Sequence, residues 1–100
     1  MGSPDWKVEF LGTAARSTLA GSAAAIGYRF RIDRGHEAGQ ETVVWVVSLP
    51  VKYSRRDVER AAEILVRIRL EEVADVGGEL ELDAEAMRAV ARHPSWGKNR

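Results

Sequence analysis

The side chains best placed to do chemistry are arginines. Arg29 and Arg31 are two residues apart, with Arg34 just beyond, and Lys52, Arg55 and Arg56 form a second group. Residues two apart on a strand share a face, and basic groups on one face can contact phosphates. Arg29, Arg31, Lys52, Arg55 and Arg56 are therefore the candidate nucleic-acid contacts. The overall charge works against that use. The 100 residues carry 15 Lys+Arg and 15 Asp+Glu, a net charge of zero, whereas a nucleic-acid binder normally has a basic excess. Cross-strand pairing of Arg29 and Arg31 with Glu9 would also occupy them.

Other titratable groups are scattered. His36 lies beside Glu37, and His93 is far from both in sequence, so the two histidines do not form a metal-ligand pattern. Tyr28, Tyr53, Asp33 and Glu37 could serve acid–base chemistry, but nothing orders them. There is no Ser/His/Asp arrangement, no Gly-rich phosphate loop and no His-Glu-x-x-His pattern. Without Cys, disulfides, thiolate metal sites and a Cys nucleophile are excluded. No catalytic, cofactor-binding or metal-binding residues are expected. Arg69 and Glu72 are i,i+3 neighbours that can pair in solvent where a helix overhangs a sheet.

The elements that must position these groups follow from periodicity. Residues 5–11 alternate, with Trp6, Val8 and Phe10 opposed to Lys7 and Glu9, which predicts a half-buried strand. Residues 12–25, rich in Gly, Ala, Ser and Thr, read as a loop, with a helix from Thr13 to Leu19 as the alternative. Residues 26–33 alternate most clearly: Ile26, Tyr28, Phe30 and Ile32 inward, Arg29 and Arg31 outward. A polar hairpin loop over 34–40 leads to a strand at 42–49. Ser54 then caps a long helix over 54–76, whose apolar face carries Val58, Ala61, Ala62, Leu65, Val73 and Val76. Gly77-Gly78 ends it. Residues 79–82 alternate and could form a short strand. Asp83 caps a second helix, 84–92, and 94–100 reads as a tail.

The β-β-β-α order, with Ser54-Arg55-Arg56-Asp57-Val58-Glu59-Arg60-Ala61-Ala62 at the helix start, resembles the second half of a double-stranded RNA-binding domain. The likeness covers about half of the chain. The family's first helix is missing, and Asp57 and Glu59 dilute the charge. The resemblance would imply phosphate contacts from Lys52, Arg55 and Arg56.

These elements make one α+β domain over 1–100: a three- or four-stranded, mainly antiparallel sheet with one long helix packed on one face and a short C-terminal helix. The strand at 42–49 is apolar on both sides, with Val43, Trp45, Val47 and Leu49 on one and Val44 and Val46 on the other. One helix covers only one face, and an open apolar edge invites aggregation. Residues 79–82 could close that edge as a parallel strand after a βαβ crossover. Alternatively, Val44 and Val46 form an interface with a protein partner or a second copy, or both faces are core, covered by the chain's own residues 12–25 and second helix. The function ranked first is thus a non-enzymatic protein-interaction module, such as a regulator, inhibitor or immunity-type protein, forming a homodimer. A nucleic-acid-binding domain ranks second, and a small ligand-binding protein or enzyme with a pocket between sheet and helix ranks third. No membrane span is expected, since the longest apolar run is Val43 to Val47; the absence of Cys fits a cytoplasmic setting.

Overall fold

A computed structural model of the chain describes residues 6–16, 25–35, 39–47, 53–74 and 76–97. Its elements run β1 (Trp6–Arg16), β2 (Ala25–Arg34), β3 (Glu41–Val46), α1 (Arg55–Ile68), α2 (Leu70–Val73), β4 (Gly78–Leu82), α3 (Ala84–Arg92) and α4 (Pro94–Gly97). The sheet order is β1-β2-β3-β4. The first three strands are antiparallel, and β4 runs parallel to β3. This is the expected α+β class, and the strand after the long helix closes the β3 edge. The Val47 N–H continues the ladder by donating to the Leu82 carbonyl at 3.0 Å.

β1 extends well beyond the expected 5–11. It continues to Arg16, pairing Thr13 with Tyr28 and Arg16 with Ala25. A register shift between Phe10 and Gly12 permits this: Gly12 has φ of 129° and forms a β-bulge. The bulge breaks the alternation, so the small residues after it lack a strand pattern. Residues 12–16, expected to belong to a loop, are therefore strand, and residues 17–24 lie outside the described residues.

The long helix is also divided. Ser54 caps α1, its hydroxyl accepting from the Asp57 N–H at 3.1 Å. α1 ends at Ile68, and Arg69 leaves helical geometry with φ −100° and ψ 22°. Beyond it the Glu72 N–H donates to the Arg69 carbonyl, a tighter i,i−3 bond. Ala61, Ala62, Ile64, Leu65 and Val66 are buried. Val76, expected inward, is 76% exposed because the helical path has ended at Val73. On α3, capped by Asp83, Met87 and Val90 are buried but Ala91 is exposed. Part of the expected tail is instead one helical turn that buries Trp96.

All the helical core packs against one side of the sheet. Tyr28, Phe30, Ile32, Val44, Leu80 and Leu82 meet Ala61, Ala62, Leu65, Val66, Met87 and Val90 in a single cluster.

Candidate interaction surface

The two faces of β3 are the reverse of the sequence expectation. Pairing sets Val44 beside Tyr28 and Leu80, and Val46 beside Leu82. Directly paired residues point to the same side, so both valines face the helices. Val44 is fully buried there and Val46 is half-buried against the same cluster. A fully buried side chain cannot form an interface, so Val44 is corrected from interface to core. Val43 and Trp45 lie on the opposite face. Trp45 is only 7% exposed, yet it stands outside the helix-side cluster.

That opposite face is otherwise a ladder of charges. Arg29 Nε donates to Glu41 Oε2 at 2.7 Å, and its Nη2 to Oε1 at 3.1 Å. Arg31 Nε donates to Asp33 Oδ1 at 3.0 Å and its Nη2 to Glu9 Oε1 at 2.9 Å. The hydrogen bond from Arg29 holds the Glu41 carboxyl below the usual range. Asp33 is lowered first by the Gly39 N–H, which donates to it at 2.9 Å, and then by Arg31. Of the expected pairings with Glu9, only that of Arg31 is present. Arg29 and Arg31 thus already carry carboxylate partners.

Arg55 and Arg56 are exposed in the first turn of α1. Lys52 lies outside the described residues, as do His36 and Glu37. His93 follows α3, where its Nδ1 accepts from the Ser95 N–H at 3.1 Å. Arg69 and Glu72 pair as expected, with both side chains in solvent and a second bond from Arg69 Nη2 to Glu72 Oε1 of 2.7 Å. Arg60 donates to the Ser95 carbonyl at 2.7 Å and sits 5.9 Å from the Trp96 ring centre.

Concavities occur on the helical side among the described residues. One, of about 210 Å³, is lined by Tyr53, Ala84, Met87, Arg88 and Ala91. A broader groove of about 450 Å³ lies between the end of α1, β4 and the start of α3. Its carboxylates include Asp83, already engaged as the α3 cap through the Ala86 N–H at 2.8 Å. Neither brings a nucleophile beside a base. Among the described residues, no group of three or more His, Asp or Glu is placed to hold a metal, and no helix is long and apolar enough to cross a membrane.

The feature that the sequence reading missed is the outer edge of β1. This strand is eleven residues long and ends the sheet. Among the described residues no strand lies beyond it. Phe10, near its middle, is 37% exposed, with ring centroids 5.6 Å from Phe30 and 6.1 Å from Tyr28. Trp6, half-buried, lies under the Arg34 guanidinium at 5.3 Å. The signal was present in the alternation of 6–10, but an edge and an inner strand share that pattern. Comparison with known proteins finds no matching family model, curated protein or solved structure.

Proposed function

We propose that this chain is a non-enzymatic protein-interaction module that works through the outer edge of β1. One observation carries the reading: an eleven-residue strand ends the sheet with a partly exposed Phe10 beside it, while the β3 edge is closed by β4. An open strand offers a row of backbone donors and acceptors to a partner strand. Phe10 adds apolar area that becomes buried when that partner arrives. The bulge at Gly12 confines flat pairing to the Trp6–Phe10 half of the strand. A regulator or inhibitor acting by strand addition fits this surface.

The test uses labelled peptides of alternating Lys/Val, Glu/Val and mixed Lys/Glu/Val sequence, with binding followed by fluorescence anisotropy. Along an edge strand, N–H groups alternate between outward and inward. Of Lys7→Pro and Val8→Pro, one therefore removes an outward donor and spares the fold. Binding of at least one peptide to the wild type, lost in the folded proline variant, supports the reading. Absence of binding by every peptide to monomeric wild type at about millimolar concentration sinks it.

A further inference from the structure

We propose that the occupant of the β1 edge is a second copy of this chain, paired antiparallel about a two-fold axis through Val8. The inference rests on β1 being the working edge and adds the identity and register of the partner.

The register follows from charge and face. Lys7 and Glu9 are both exposed, and both lie on the charged face of the sheet, across from Asp33 and Arg31. Trp6, Val8 and Phe10 lie on the helix side, across from Arg34, Ile32 and Phe30. In an antiparallel pair, directly opposed residues point the same way. With the axis at Val8, Lys7 opposes the partner's Glu9 and Glu9 opposes the partner's Lys7. On the other face Trp6 opposes the partner's Phe10, so the exposed part of Phe10 gains an aromatic neighbour. Moving the axis to Lys7 sets lysine against lysine, and moving it to Glu9 sets glutamate against glutamate. Like charges directly opposed destabilise a sheet. A shift by half that step puts apolar residues opposite charged ones. Of these registers, the one about Val8 satisfies both faces.

The local geometry permits it. Glu9 uses Oε1 for Arg31, and a carboxylate has a second oxygen with its own lone pairs for the partner's Lys7. The bulge between Phe10 and Gly12 begins where this pairing ends. A net charge of zero leaves no long-range repulsion between copies. The product is a continuous eight-stranded sheet with both helical layers on one side.

Sedimentation velocity across a concentration series tests the register. The wild type should dimerise. Lys7→Glu and Glu9→Lys should each weaken dimerisation by about tenfold or more, because both symmetric pairs become repulsive. An equimolar mixture of these two variants should recover dimer, since each pair across the axis then joins an acid on one chain to a lysine on the other. Circular dichroism checks folding. Should either charge reversal unfold, Lys7→Gln and Glu9→Gln replace them with a smaller expected weakening. A strict monomer at high micromolar concentration overturns the proposal, as does a dimer indifferent to these changes or a mixture that stays monomeric. If the wild type is monomeric while an alternating peptide still binds, self-pairing falls and the β1 edge remains the working surface. If no peptide binds either, both fall.

Discussion

Trp45 is seated over Gly27. The two residues are direct cross-strand partners on β3 and β2. A Cβ placed on Gly27 would come within 2.8 Å of Trp45 Cε3 and Cζ3, and within 2.7 Å of Val43 Cγ1. The missing side chain therefore creates the seat for the indole on the face without helices. An aromatic ring over a strand glycine shields backbone that would otherwise be open. Replacing Gly27 by Val should displace the ring and destabilise the fold by about 2–3 kcal/mol. In a background with Trp6→Phe and Trp96→Phe, Trp45 fluorescence should shift to the red. An unchanged spectrum and unfolding midpoint would show that the seat is unimportant.

That relationship also explains what could and could not be read from the chain. The β2 alternation was clear because Tyr28, Phe30 and Ile32 oppose Arg29 and Arg31, and the strand appears at Ala25–Arg34. Helix starts at Ser54 and Asp83 were legible because their side chains satisfy the first free N–H groups. The parallel strand after Gly77-Gly78 was legible as one of two ways to close the β3 edge. The orientation of β3 was not legible, because valines occupy both of its faces and periodicity cannot rank them. The deciding facts are its register and the space above Gly27, which Trp45 fills. Likewise, the extension of β1 depends on a bulge at Gly12 that shifts the pattern by one residue. The helix break at Arg69 carries no Gly or Pro as a marker.

The same orientation makes a contrast between faces measurable. Val44 is enclosed by the helix-side core, whereas Val43 is only partly covered. Val44→Ala should cost about 2 kcal/mol through lost burial and the cavity left behind. Val44→Glu should prevent stable folding, since an unpaired carboxylate would enter that core. Val43→Thr should cost clearly less than either. Chemical denaturation monitored by circular dichroism gives the order. Equal effects at 43 and 44 would contradict the assigned faces.

The hairpin between β2 and β3 depends on a close backbone approach. An added Cβ at Gly39 would stand 1.3 Å from the Ile32 carbonyl oxygen. The same turn holds the bond from the Ile32 N–H to the Gln40 carbonyl at 3.1 Å, and the Gly39 N–H bond to Asp33. Since the obstruction is backbone, no side-chain rotation relieves it. Gly39→Ala should cost about 2–3 kcal/mol and accelerate hydrogen exchange at Ile32. A variant as stable as the wild type would show that the turn has another accessible path.

Asp33 ties this hairpin to pH. Its carboxyl is held low by the Gly39 N–H and then by Arg31, and Glu41 is held low by Arg29. A carboxylate whose folded pKa is depressed binds protons more readily in the unfolded chain. Its stabilising effect is therefore complete above the unfolded value, near pH 4, and is lost as pH falls through the lower folded value. Solvent exposure keeps the effect modest. The wild type should lose stability from about pH 4 downward. Asp33→Asn should be less stable near neutrality and show a smaller further loss in acid, because asparagine keeps an acceptor but has no proton to gain. Denaturant midpoints at about pH 7 and about pH 3 measure both quantities. If the acid-induced loss is the same in variant and wild type, Asp33 does not contribute to it. Glu41→Gln in the Asp33→Asn background then separates the two carboxylates, since Glu41 acts through Arg29 and Asp33 through the turn.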